Sequence, residues 1–183
     1  MAKVYEFLAN GFEDIEALAP VDILRRGGVE VVTVSITASL SVETAHGVTV
    51  EADCHIADTD LSDADLLVLP GGMPGASNLM ESEDVCNALI EQAKAGKLIG
   101  AICAAPMVLG KLGLLEGKRA TCYPGFEQYL DGATPTGELV TVDGNITTAK
   151  GPGAAMAFGY QLLSNFIAAE DLEALKNGMI YKG

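Results

Sequence analysis

The residues best suited to chemistry lie at 98–106, Leu-Ile-Gly-Ala-Ile-Cys-Ala-Ala-Pro, where an apolar strand runs into Cys103, then into small residues and a proline. This is the pattern of a nucleophile elbow, a sharp strand-to-helix turn that presents its central side chain to a cleft. Such a turn needs small neighbours so that strand and helix can approach closely, and Ala101 and Ala105 meet that need. Pro106 suits an early helical position, where no backbone N–H is required. A thiol at a helix N-terminus also feels the positive end of the dipole and several unpaired N–H groups, which favour thiolate. Cys103 is therefore a candidate reactive cysteine; the competing reading is a small hydrophobe buried at the end of a core strand.

The elements that would position this cysteine alternate between strand and helix. Lys3–Ala9 reads as a strand, followed by an Asn10-Gly11 turn and a helix over Asp14–Arg26 with Ile15, Leu18, Ala19, Ile23 and Leu24 as its apolar stripe. Val29–Ser35 is a second strand, and Ser41–Glu51 reads as a short hairpin turning at His46-Gly47. Asp65–Leu69 is a buried parallel strand, Glu83–Ala95 a helix, Leu98–Ile102 the elbow strand and Ala104–Leu112 its helix. Strands at Arg119–Cys122, Glu138–Val142 and Ile146–Ala149 precede helices at Ala154–Ile167 and near Glu170–Asn177. Single helices between strands imply a doubly wound α/β sheet, mostly parallel, with helices on both faces and one domain over residues 1–183.

In such a sheet, sites lie beyond the carboxyl ends of the strands. Two loops there besides the elbow stand out: residues 10–16, with Glu13, Asp14 and Glu16, and Pro70-Gly71-Gly72-Met73-Pro74-Gly75. Gly71 and Gly72 lack β-carbons, so their backbone can turn tightly against a reacting group. The N–H groups of Gly72 and Ala104, the residue after the cysteine, would form an oxyanion hole. Taken singly, the glycine loop reads as a turn and the acids as first-turn residues that complement a helix dipole. Their convergence on one sheet edge gives them functional weight.

Composition narrows the partners. The 183 residues are 49% apolar and 20% charged, enough for one sizeable core. With 25 acidic against 11 basic residues the formal charge is −14, which repels nucleic acid and leaves small molecules or proteins as expected partners. No apolar run reaches membrane-span length, and an acid interrupts the first strand where a signal peptide would be uniformly apolar, so a cytoplasmic location is expected. Cys54, Cys86, Cys103 and Cys122 are scattered, with only His46 and His55 as imidazoles, so neither a disulfide framework nor a metal site is indicated.

Four blocks together resemble a known family: Gly-Phe-Glu-Asp-Ile-Glu-Ala around Glu16, Leu-Pro-Gly-Gly-Met-Pro-Gly-Ala-Ser-Asn-Leu at 69–79, Ala-Ile-Cys-Ala-Ala-Pro at 101–106 and Gly-Pro-Gly at 151–153. They are similar to the signatures of the ThiJ/PfpI superfamily, related in fold to class I glutamine amidotransferases, in the branch of the Parkinson-disease-associated protein. The resemblance spans nearly the whole chain. It implies a flavodoxin-like fold, a homodimer, no cofactor, a nucleophilic Cys103, and a protonated Glu16 that hydrogen-bonds the sulfur. It also implies that Gly71 and Pro152 border the pocket.

The departures matter as well. The peptidase branch has a histidine directly after its cysteine, where this chain has Ala104, and amidotransferases also need a histidine partner; both chemistries are disfavoured. The branch it resembles often carries histidine at Tyr123 and arginine at His46. Tyr123 can donate a hydrogen bond but is a poor base near neutrality, whereas His46 has a suitable ordinary pKa if it reaches the pocket and is otherwise an exposed turn residue. His55 belongs to no motif. Two functions are implied by the resemblance: a cofactor-independent glyoxalase or deglycase acting on methylglyoxal or its early protein adducts through a Cys103 hemithioacetal and Glu16 proton transfer, or a non-enzymatic oxidative-stress sensor or chaperone whose Cys103 becomes a sulfinate held by Glu16.

Overall fold

The computed structural model describes residues 1–182. The chain runs β1 (Lys3–Leu8), α1 (Asp14–Arg26), β2 (Glu30–Ser35), β3 (Ser41–Glu43), β4 (Thr49–Glu51), β5 (Cys54–His55), β6 (Leu66–Leu69), α2 (Gly75–Glu81), α3 (Glu83–Lys94) and β7 (Leu98–Ile102). It continues through α4 (Pro106–Lys111), β8 (Arg119–Ala120), β9 (Thr134–Pro135), β10 (Val140–Asp143), β11 (Ile146–Ala149), α5 (Ala155–Leu163) and α6 (Ala169–Gly178).

Seven strands form one sheet in the order β10-β11-β7-β6-β1-β2-β5, parallel throughout except for the β10–β11 pair. Helices flank it, α1 packing on α5 and α2 on α3 and α4. The continuous apolar run of β6 is wholly buried, as expected of a strand covered on both faces. From β1 the chain steps to β2 on one side and later to β6 on the other, so the winding reverses between β1 and β6. A crevice opens beyond the strand ends at such a reversal, and the loops after β1 and β6 border it. The β3–β4 hairpin stands outside the main sheet and is clipped to the β1–α1 loop by Gly11 N–H to Glu43 O (2.8 Å) and Ala45 N–H to Phe12 O (2.7 Å).

Several elements depart from expectation for tertiary reasons. Ile15 and Leu18, placed on the buried stripe of α1, are 54% and 40% exposed; the inward face is instead Glu16, Ala17, Pro20, Val21, Ile23 and Leu24. Helix α4 starts at Pro106 rather than Ala104, because Cys103 itself takes a left-handed backbone and Ala105 serves as the cap. α5 ends at Leu163 rather than Ile167. The short pairings at β5 and β8–β9 carry too few residues for a periodic signal, and α2 grows out of a stretch that reads as a turn.

One buried acid has no counterpart among the expectations. Glu6 lies in β1 between Thr33 of β2 and Val68 of β6, is fully buried, and neither carboxyl oxygen has a hydrogen-bond partner. Burial holds its pKa well above the usual carboxylate range, only weakly opposed by Arg25, whose guanidinium is engaged by Val31 O and Asp53. A group raised in the folded state favours folding fully only below its unfolded pKa, roughly 4.3, and that contribution is lost as pH climbs toward the folded value. Glu6→Val, close in volume and strand-favouring, is expected to raise unfolding stability at pH 7 by about 1–3 kcal/mol. Urea melts at a series of pH values should show that gain shrinking as pH falls toward 4; an unchanged or lower midpoint at pH 7 would refute the assignment.

Candidate active site

The elbow is strained and held. Cys103 has φ 65°, a left-handed conformation that costs a residue with a β-carbon roughly 1–2 kcal/mol. Both of its backbone groups are fixed, its N–H donating to Ala149 O (2.8 Å) and its carbonyl accepting from Tyr123 N–H (2.8 Å). The end of β11 and the segment after β8 thus hold the turn, and the side chain is almost wholly buried there.

Glu16 comes to the same point from the first turn of α1. Its backbone N–H donates to the Glu13 carboxylate (2.8 Å), the cap of that helix, so Glu13 orients the turn carrying Glu16. The Glu16 side chain is fully buried. Its Oε2 accepts from Gly71 N–H (3.0 Å), while Oε1 has no nitrogen or oxygen partner. The carboxyl meets the Cys103 thiol, and the backbone N–H groups of Gly72 and Ala104 face the sulfur. Gly72 has φ +83°, and a β-carbon there would lie 2.5 Å from Glu13 N.

Electrostatics at the pair are set by burial. Burial pushes the Glu16 carboxyl up to about 7 against the opposing pull of the Cys103 thiol. Burial, followed by the neighbouring Glu16 charge, pushes the Cys103 thiol up to about 12, with the Gly72 and Ala104 N–H groups pulling it down. This is the reverse of the acidic thiol expected from a helix dipole alone, because burial of the thiol, followed by the neighbouring Glu16, outweighs the N–H groups at the start of the six-residue α4. Two negative charges in so dry a space are costly, so the pair gives up its protons as one coupled unit.

The remaining sequence candidates divide. Tyr123 is 46% exposed and borders the site: a β-carbon on Gly151 would sit 3.1 Å from its Cδ2 and 4.0 Å from Glu16 Oε1. Tyr123 and Pro152 line a cavity of about 310 Å³ with Pro124, Leu139 and Lys150. His46, on the hairpin turn, pairs instead with Asp14 (Nδ1 to Oδ2, 2.7 Å) and is largely exposed; that bond raises its pKa. Asp14 adjoins Glu13, the cap of α1. Replacing His46 by alanine is expected to lower turnover by less than about tenfold, or roughly 1.4 kcal/mol of barrier; a hundredfold loss in steady-state assays would identify it as a direct participant. Sequence reasoning named Glu13 only as a first-turn acid and Gly151 only within a family block; their places as the orienting cap and as the approach to Tyr123 come from the structure. The acid three residues before Glu16 was the available signal for the first.

Known proteins share this architecture. The DJ-1/PfpI family model matches residues 2–165. Protein DJ-1 homolog A of Arabidopsis thaliana is 37% identical over 178 residues, 96% of this chain but 45% of that protein, so the chain spans about half the length of this relative. Glutathione-independent glyoxalase DJR-1.2 of Caenorhabditis elegans is 32% identical over 171 residues, covering 89% of this chain and 87% of that protein. The solved structure of oxidized Toxoplasma gondii DJ-1 superposes with a TM-score of 0.95 at 34% identity, covering 100% of both chains. With its elbow cysteine, glycine loop and helix-borne acid on this sheet, the chain belongs to the DJ-1/PfpI family.

Proposed function

We propose that the protein is a cofactor-independent glyoxalase or deglycase that converts methylglyoxal, free or as an early protein adduct, to lactate. The observation that carries this reading is the buried Glu16 carboxyl, with one oxygen unpartnered, set against a thiol that two backbone N–H groups face. Taken singly, the two groups would lose the Glu16 proton first, at about 7 against about 12 for Cys103; because they act as one coupled unit with two N–H groups facing the sulfur, we place the single charge on sulfur, with Glu16 keeping the proton and donating it toward the thiolate. The thiolate adds to the aldehyde carbon, forming the C–S bond of a hemithioacetal. The new oxyanion is met by the N–H groups of Gly72 and Ala104 and takes the Glu16 proton. Ionised Glu16 then removes the proton from the aldehyde carbon and returns it to the neighbouring carbon. The result is a thioester that water hydrolyses to lactate. One carbon is oxidised as the other is reduced, so no external oxidant is consumed. The glyoxalase name of the Caenorhabditis relative supports this choice of substrate.

The test is lactate formation from methylglyoxal by purified protein without glutathione, with Cys103→Ser as the control. Absence of lactate, or equal lactate from the control, would overturn the proposal. Carboxymethylation of Cys103 should speed up as pH rises through about 7, the value to which burial brings Glu16, because the pair loses its first proton there. A rise only above pH 9 would place the proton on sulfur instead.

The sensor or chaperone reading uses the same contact, since a proton donor beside the sulfur would also hold a sulfinate oxygen. It predicts that limiting peroxide oxidises Cys103 before Cys54, Cys86 or Cys122, with no lactate formed. Homodimer formation, implied by the family resemblance, is supported by the exposed Ile15 and Leu18 on α1 and by Val48 on the hairpin.

A further inference from the structure

The cavity of about 310 Å³ walled by Tyr123, Leu139, Lys150, Gly151 and Pro152 has no part in the chemistry above, yet it adjoins the reacting pair. The Tyr123 N–H donates to the Cys103 carbonyl, and Ala149, which accepts the Cys103 N–H, directly precedes Lys150. At Gly151 the wall comes to Glu16: a β-carbon there would lie 4.0 Å from Oε1, the buried carboxyl oxygen that has no partner. Lys150 brings the only charge among the residues that line the cavity. Its half-buried side chain donates from Nζ to Gly137 O (3.1 Å). An ammonium carries three N–H donors, so two remain for a ligand. Acids outnumber bases by 25 to 11, yet among the described residues Lys150 pairs with no carboxylate.

We propose that this cavity is a substrate subsite in which Lys150 binds a carboxylate, so that the preferred substrate is a 2-oxoaldehyde whose ketone carbon bears a short carboxylate-ended chain. The inference rests on the glyoxalase reading above and deepens it. Apolar walls such as Leu139 and Pro152 suit the methylenes of that chain, and one polar group in an apolar cavity is enough to fix a small ligand's orientation. Methylglyoxal has only a methyl group to offer Lys150. The whole-chain charge of −14 opposes an anion at long range, so selection rests on direct, charge-assisted contact with Nζ. The thiolate adds to the aldehyde carbon, the proton on that carbon moves to the neighbouring carbon, and water releases a 2-hydroxy diacid from the thioester. The aldehyde carbon is oxidised as the ketone carbon is reduced, so no other reactant is consumed.

The test compares 4,5-dioxopentanoate with its methyl ester, which keeps the chain and removes the charge. The acid is expected to show kcat/KM about tenfold above the ester, through a lower KM, as a hydrogen bond to a charged group allows. Lys150→Gln should bring that ratio close to one, and Lys150→Arg should keep most of it. Independently of turnover, 4-oxopentanoate, which lacks the aldehyde, should slow the labelling of Cys103 by iodoacetamide. Uncharged 2-pentanone at the same concentration should not, and the Lys150→Gln variant should lose the protection. Equal kcat/KM for acid and ester, with no protection by 4-oxopentanoate, overturns the subsite and leaves the glyoxalase chemistry standing. Protection that depends on Lys150, with no turnover of acid, ester or methylglyoxal, retains the subsite and overturns the glyoxalase reading.

Discussion

Glu16→Gln is expected to lose at least a hundredfold, and up to about ten-thousandfold, in turnover of methylglyoxal while its Cys103 is still alkylated rapidly at pH 7. Glutamine keeps an N–H donor toward the sulfur but has no proton to exchange, so it separates stabilising the thiolate from moving protons. Its other amide atom can still accept from Gly71 N–H, the bond now made by Oε2 at 3.0 Å, so the loop should stay in place. Glu16→Ala removes both functions. Burial remains without the donor, the thiol titrates above its ordinary value, and both alkylation at pH 7 and turnover should fall together. Rate constants for iodoacetamide labelling alongside steady-state kinetics check both variants. Parent-like turnover in the glutamine variant would remove Glu16 from the proton-transfer steps.

Gly71→Ala is expected to abolish the site by sterics rather than chemistry. The added β-carbon would lie 2.6 Å from Glu16 Oε2, 2.7 Å from Cys103 Cβ and 2.8 Å from Ile102 O. Glu16 Oε2 is a side-chain tip but is fully buried and bonded to Gly71 N–H, while Cys103 Cβ and the strand carbonyl of Ile102 are fixed by the backbone, so none gives way cheaply. Overpacking of this kind costs about 1–3 kcal/mol of stability. The displaced pair should lose more than about a hundredfold in turnover, since a shift near 1 Å is enough for such a loss. Denaturant melts and kinetics on the same sample distinguish the two effects. A variant that is stable and retains turnover within about tenfold would mean that the carboxyl and thiol need not be so close.

Much of this arrangement was legible because it depends on local rules. The alternation of apolar strands with helices ended by glycines gave the α/β class, and the bounds of α1 and β7 match the periodic and turn signals that define them. The elbow at Cys103 was readable because a sharp turn needs small flanking residues whatever surrounds it. Elements that form only on contact were not. β5 and β8 are two-residue pairings, and α2 begins at Gly75, where a β-carbon would lie 2.6 Å from Phe12 N, a neighbour far away in sequence. Ile15 and Leu18 fit an apolar stripe by composition, yet the packing of α1 on α5 turns a different face inward.

By itself, then, the sequence determined the class of sheet and the strand ends beyond which Cys103 and Glu16 stand. Only the tertiary structure decided how those groups behave. The raised carboxyl of Glu16, the orphaned acid at Glu6, the pairing of His46 with Asp14 and the approach of Tyr123 to Gly151 all depend on distances between residues brought together by the fold. Periodicity and turn propensity act over a few neighbouring residues, whereas desolvation and charge coupling act through space. A thiol that its own helix would make acidic is instead raised first by its burial and then by a carboxyl 87 positions earlier in the chain.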